Sequence, residues 1–126
     1  MAKLSTKQSG ATHIPHISIV VPLFNEEESL RELFSLINET MRQIKMSYEI
    51  IFVDDGSTDK SFEVLTALHI EYPKIIKAIR FRRNYGKSAA LSAGFKEAQG
   101  EFIITMDADL QDDPNEIPSL IEALGD

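Results

Sequence analysis

Four short runs rich in β-branched and other apolar residues, HISIVVP (16–22), YEIIFVDD (48–55), KIIKAIRF (74–81) and EFIITMD (101–107), constrain this chain more than anything else in it. Runs of this length and continuity suit strands buried on both faces. The segments between them have helical character instead. After the first run, Leu30, Leu33, Phe34, Ile37, Met41 and Ile44 recur at helical spacing, and Phe62, Leu65 and Leu68 do so after the second. NYGKSAALSAGFKEAQG (84–100) comes after the third run, and DDPNEIPSLIEAL (112–124) opens a last helix after the fourth. Strand and helix alternating in this way predict an α/β fold, a mostly parallel Rossmann-like sheet with helices on both faces.

Local signals place the helix ends. Asn25 with Glu28 three residues on reads as a capping box for the first helix, and Ser57, Thr58 or Asp59 as the cap of the second, which stops before Pro73. Gly100 is placed to end the third helix. Asp113 as cap, Pro114 first and Glu116 third begin the last. Residues 1–15 are polar, lack the apolar middle of a signal peptide, and read as a disordered tail before one domain over 16–126. The sequence stops just after a helix, so the edge of the sheet is expected to lack a neighbour and the chain to be part of something longer. Such an edge is open to pairing with a second copy.

Composition excludes several classes. A net charge of −7 disfavours nucleic acid and anionic membrane surfaces as partners of the whole protein. Without cysteine there is no disulfide and no thiolate metal site, which fits a cytoplasmic location. No apolar run approaches the roughly 18–20 residues that span a bilayer.

The chemistry lies just past the end of each strand, because open parallel sheets bind ligands beyond the carboxyl ends of their strands. Asn25 and Glu26 stand after the first; Asp54, Asp55 and Asp59 after the second; Arg80, Arg82, Arg83, Asn84 and Lys87 after the third; Asp107, Asp109, Gln111, Asp112 and Asp113 after the fourth. Acids and bases converging on one rim suit Mg²⁺ or Mn²⁺ together with a phosphorylated ligand. Asp112 and Asp113 read as cap and solvated loop, and Asp54–Asp55 before Gly56 can simply make a turn. Asp107 and Asp109 resist the structural reading: a strand leads straight into them, and residues two apart point the same way. Gly86-Lys87-Ser88 is not a P-loop, since the glycine required five residues earlier is Phe81.

The stretches SIVVPLFNEEESL, YEIIFVDDGSTD, FRRNYGKSAALSAGF and GEFIITMDADLQDDP resemble the N-terminal half of glycosyltransferase family 2, in the branch of dolichol-phosphate mannosyltransferase and the bacterial polyprenyl-phosphate glycosyltransferases. The resemblance implies a GT-A fold and inverting, metal-dependent transfer of a sugar from a UDP- or GDP-linked donor to a polyprenyl phosphate. Carried onto this sequence, it implies that Pro22, Phe24 and Glu26 line the nucleoside pocket and that Asp54 contacts the base. It further implies that Asp107 contacts the ribose or donor sugar, that Asp109 and Gln111 hold Mg²⁺ or Mn²⁺, and that Arg83 and Lys87 neighbour the phosphates. Members are usually more than twice as long. Their second half supplies the acceptor side, and often an attachment to the cytoplasmic face of a membrane. The catalytic base is therefore not assigned to any residue here, and little transfer is expected from this chain alone. Two alternatives are a Mg²⁺-dependent phosphotransferase or receiver-like domain, which needs a nucleophilic Asp after the first or third strand, and a non-catalytic nucleotide-binding module.

Overall fold

The computed structural model describes residues 3–6 and 15–124. Five strands, β1 (Lys3–Thr6), β2 (Ile17–Leu23), β3 (Tyr48–Asp54), β4 (Ile76–Arg80) and β5 (Phe102–Thr105), form one sheet in the order β1-β5-β2-β3-β4. The strands β5, β2, β3 and β4 are parallel, as their continuous apolar character predicts, and β1 joins β5 antiparallel. Four helices, α1 (Leu30–Ile44), α2 (Ser61–Glu71), α3 (Lys87–Glu97) and α4 (Glu116–Leu124), alternate with the strands.

Successive strand residues point to opposite faces, so the sheet builds two cores. Ile19, Val21, Ile50, Phe52 and Ile104 pack on one face with Leu33, Phe34 and Ile37 of α1, Leu65 and Leu68 of α2, and Ile117 of α4. Val20, Ile51, Val53 and Ile103 pack on the other with Ala90 of α3. Fully burying such side chains contributes roughly 1.5–3 kcal/mol each, and this holds the carboxyl ends of β2, β3 and β4 level at Leu23, Asp54 and Arg80, while β5 ends opposite Val20.

Several sequence expectations change, among them two helix starts: the N-cap of α2 is Lys60, none of Ser57, Thr58 or Asp59, and α4 begins at Glu116, two residues after Pro114. Lys3–Thr6 is a strand, not part of a disordered tail, and residues 7–14 lie outside the described residues. It gives β5 the neighbour that the sequence expected to be missing; the physical cause is the open hydrogen-bonding edge of a buried strand, which a short extended segment can satisfy. The capping box also fails. Asn25 sits at φ 53° and α1 begins only at Leu30, after Ser29. Finally, α3 ends at Glu97 with Ala98 extended at its C-cap, so Gly100 does not terminate it.

A buried carboxylate at the far end of the sheet locks the elements together. Glu49 is 2% exposed. Its Oε2 accepts from Ser18 Oγ at 2.6 Å and from the Gln99 amide at 2.7 Å, and its Oε1 pairs with Lys77 Nζ at 2.8 Å. One side chain thus ties β2, β3, β4 and the α3–β5 connection.

Tyr48, at the start of β3, donates its hydroxyl to Asn38 Oδ1 of α1. Burial, reinforced by the neighbouring Tyr72 and opposed by Arg42, pushes its pKa up to about 12. An unfolded tyrosine ionises near pH 10. The folded value is the higher one, so the stabilisation is complete below about pH 10 and is lost between about 10 and 12. Alkaline unfolding of Tyr48→Phe should therefore be flatter than wild type across that window. Equal slopes would mean that the phenol is as well solvated in the folded chain as in the unfolded one.

Candidate functional site

A cavity of about 410 Å³ lies at the carboxyl ends of the parallel strands, lined by Pro22, Leu23, Phe24, Glu26, Asp55, Asn84, Lys87, Asp107, Ala108 and Asp109. Each of the four strand-to-helix connections contributes to it. Of the sequence candidates, the structure brings Pro22, Phe24, Glu26, Lys87, Asp107 and Asp109 together on this wall. Asp54, Gln111 and Arg83 lie off the lining.

Asp54 and Asp55 divide their work. Asp54 is the last residue of β3 and is fully buried; its Oδ1 accepts from the Ser57 amide at 2.8 Å, and its Oδ2 has no hydrogen-bond partner among the described residues. Asp55, one residue on, turns to the opposite side and lines the cavity. Its carboxylate accepts from the amides of Tyr85 at 2.7 Å and Gly86 at 3.0 Å, which fixes the start of α3. The candidate facing the cavity is thus Asp55 in place of Asp54. The exchange depends on where β3 ends, and two adjacent aspartates in a sequence do not reveal that.

The loop after β2 is held from below by GSTDKS (56–61). The Asn25 amide donates to Ser57 Oγ at 2.8 Å and the Glu26 amide to Ser61 Oγ at 2.9 Å. Asn25 Oδ1 in turn accepts from the Thr58 amide at 2.8 Å. These contacts offset the cost of a left-handed Asn25, of order 1 kcal/mol, and they aim Phe24 and Glu26 at the cavity. Phe24 remains 43% exposed, an apolar face open to a planar ligand.

The loop after β5 is fastened at several points. Ser29 Oγ donates to the Ala108 carbonyl at 2.7 Å, and the Asp107 amide donates to Asp112 Oδ2 at 2.8 Å. Asp112 is 4% exposed, so it shapes the loop and is not the solvated residue that the sequence suggests. Asp113 does act as a turn former, accepting from the Asn115 amide at 2.9 Å ahead of α4. Leu110 adopts φ 66°, a left-handed conformation with no sequence signature in leucine, and the Gln111 amide closes back on Asp109 Oδ1 at 3.1 Å.

Across the cavity, Lys87 Nζ lies 2.6 Å from Asp107 Oδ1. The hydrogen bond to Asp107, reinforced by the charges of Asp107, Asp112 and Asp109 and opposed by partial burial, raises the Lys87 pKa above its ordinary value. The wall therefore combines acids, one ammonium and the N-terminus of α3, which itself favours anions. Among the described residues no group of three or more His, Cys, Asp or Glu is disposed to hold a metal ion by itself. Asp107 and Asp109 nevertheless fit Mg²⁺ or Mn²⁺, because such ions commonly use one or two carboxylates and complete their shell with water and ligand phosphates.

A family model described as glycosyl transferase family 2 matches residues 18–126. The chain belongs to that family. Among curated relatives, an undecaprenyl-phosphate 4-deoxy-4-formamido-L-arabinose transferase of Pectobacterium carotovorum subsp. carotovorum (strain PC1) is 49% identical over 109 residues, covering 86% of this chain and 33% of the relative. The transferase of the same description from Pseudomonas fluorescens (strain SBW25) is 47% identical over 111 residues, with coverage of 86% and 33%. The chain thus spans about a third of the length of the curated relatives it matches. Among solved structures, a mannosyltransferase from Pyrobaculum calidifontis in complex with GDP-Man and Mn²⁺ is similar with a TM-score of 0.75 and 25% identity, over 91% of this chain and 34% of that one. The S. aureus TarS 1–349 complex with UDP-GlcNAc is similar with a TM-score of 0.65 and 26% identity, over 85% and 30%.

For a family 2 chain, the sequence placed Asp55 and Asn84 in the strand-end clusters without an individual role and missed the shaping role of Asp112. Each had a weak signal: a second acid beside the strand-ending one, a loop residue two positions before a glycine, and an acid one position before a turn-forming Asp-Pro pair. None of the three signals indicates which way the side chain faces.

Proposed function

We propose that this chain carries the donor-binding part of an inverting, metal-dependent glycosyltransferase that passes a sugar from a nucleoside diphosphate to a polyprenyl phosphate. The observation that carries the reading is the cavity wall on which Asp107 and Asp109 face Lys87 at the strand ends. The names of the curated relatives support a polyprenyl phosphate acceptor, and the ligands named for the two solved structures support a nucleotide sugar. Family membership sets aside the receiver-like alternative.

In this reading Phe24 stacks on the base beside Pro22, and Glu26 and Asp55 accept hydrogen bonds from the nucleoside. Asp107 serves the ribose or donor sugar. Asp109 and Asp107 would hold the divalent ion, joined by Gln111 if its exposed side chain swings inward. When bound, such an ion neutralises charge that builds on the departing diphosphate. Lys87 and the α3 N-terminus add positive potential to the same oxygens. An acceptor phosphate oxygen attacks the anomeric carbon from the face opposite the diphosphate; that C–O bond forms as the bond to the β-phosphate oxygen breaks, and nucleoside diphosphate leaves. A lipid phosphate is already ionised, so the step requires no proton transfer from the nucleophile. In this reading the acceptor side, and the expected attachment to the cytoplasmic face of a membrane, would fall in the two thirds of the relatives' length that this chain does not span.

Thermal melting with UDP or GDP, each with and without Mn²⁺, tests the reading. One nucleotide should raise the melting temperature in a metal-dependent way, with a gain of about 2.7 kcal/mol at a hundredfold excess over its dissociation constant. No shift with either nucleotide would remove the donor site.

A further inference from the structure

Lys87 has two claims on its charge. Its ammonium is hydrogen-bonded to Asp107, and it lines the cavity that would receive a diphosphate. The side chain is 63% exposed, while its backbone is the first residue of α3, an origin pinned by Asp55 through the Tyr85 and Gly86 amides. A four-carbon stem on a fixed root can re-aim its charge without moving the helix. Asp107 is held at its own amide by Asp112, so its backbone keeps its place on the cavity wall when the ammonium leaves.

We propose that Lys87 is an exchange residue: it neutralises Asp107 until a nucleoside diphosphate arrives, then passes to the phosphates and releases Asp107, so that metal and nucleotide bind as a coupled pair. The inference rests on the donor-site reading above. With Lys87 on Asp107, the Asp107–Asp109 pair presents less negative charge to a cation than it does once the ammonium is withdrawn. A diphosphate supplies both a new partner for the ammonium and further oxygens for the ion. Each ligand thereby strengthens the other, and the coupling must be reciprocal.

The exchange carries a signature of opposite signs. A lysine that only formed a structural ion pair would, when neutralised, leave nucleotide binding unchanged. One devoted only to phosphate would leave binding of the ion alone unchanged. In Lys87→Met, Mn²⁺ alone, measured from the electron paramagnetic resonance of the free ion, should bind about fivefold or more tighter than in wild type. UDP or GDP, measured by calorimetry with Mn²⁺ present, should bind about fivefold or more weaker, in line with the usual size of such couplings. Lys87→Arg keeps the charge and should follow wild type in both. Circular dichroism confirms that each variant is folded. Both affinities moving in the same direction, or Mn²⁺ affinity staying fixed in Lys87→Met, would overturn the exchange while leaving the donor site standing. Wild type binding neither nucleotide with Mn²⁺ would overturn the donor site and the exchange together.

Discussion

Asp109→Asn lowers the Mn²⁺-dependent affinity for a nucleoside diphosphate by at least about a hundredfold and leaves the melting temperature of the protein alone within about 2 °C. Removing even an outer-shell partner of a metal commonly costs 10- to 100-fold in affinity, and a carboxylate that holds the ion directly should cost no less. The fold should not notice. Asp109 is exposed on the cavity wall, and the hydrogen bond that its side chain accepts from the Gln111 amide is equally available to an asparagine carbonyl. Calorimetric titration of UDP or GDP in Mn²⁺ reads the first quantity and a thermal scan the second. Gln111→Ala in the same titration should give a smaller loss, because a neutral amide oxygen is a weaker ligand than a carboxylate and Gln111 lies off the lining. Undiminished metal-dependent binding in Asp109→Asn would place the ion elsewhere on the rim.

How far the sequence leads depends on which level decides each feature. The four parallel strands were legible because continuous burial leaves a compositional mark; Asp107 and Asp109 both line the cavity, although β5 ends at Thr105 and strand alternation does not set their direction. The four clusters at the strand ends do meet on one rim, as the topology demands, although Arg80, Arg82 and Arg83 stay off the cavity wall. Features set by tertiary context were not legible. Lys3–Thr6 has no periodicity of its own and becomes a strand only because β5 offers it an edge. Glu49, in a strand next to Tyr48, gives no hint of its three partners from β2, β4 and the α3–β5 connection. Asn25, a reasonable helix cap by local rules, works across the chain on Thr58. Leu110 takes a left-handed conformation that propensity argues against, beside the very residue expected to hold the ion. Backbone strain of this kind tends to collect where surrounding contacts over-determine a loop, and here Ser29 and Asp112 supply those contacts.

Gly56→Ala should destabilise the protein by roughly 2–5 kcal/mol, with about 1–2 from forcing a side chain into a left-handed conformation and about 1–3 from overpacking. Gly56 has φ 79°, and an added Cβ would stand 2.3 Å from the Arg83 carbonyl carbon and 2.4 Å from the Asn84 nitrogen. Both obstacles are backbone atoms. The segment that would have to yield is anchored by the Asp55 carboxylate at Tyr85 and Gly86, so the clash cannot be relieved by turning a side chain. Gly86 provides the control. It too has positive φ, at 102°, but an added Cβ would meet nothing within 4 Å. Gly86→Ala therefore carries backbone strain alone, about 1–3 kcal/mol, and the loop around it has room to relax. Denaturant unfolding of the two variants should rank Gly56→Ala as the more destabilised. Function should follow the same order, because a displaced 83–86 segment carries Asn84 and the root of Lys87 away from the cavity, so Gly56→Ala should lose nucleotide binding even at temperatures where it remains folded. Equal stability losses in the two variants would mean that the approach of the Arg83–Asn84 backbone to Gly56 is slack, and that the β3–α2 turn does not set the position of the phosphate-side wall.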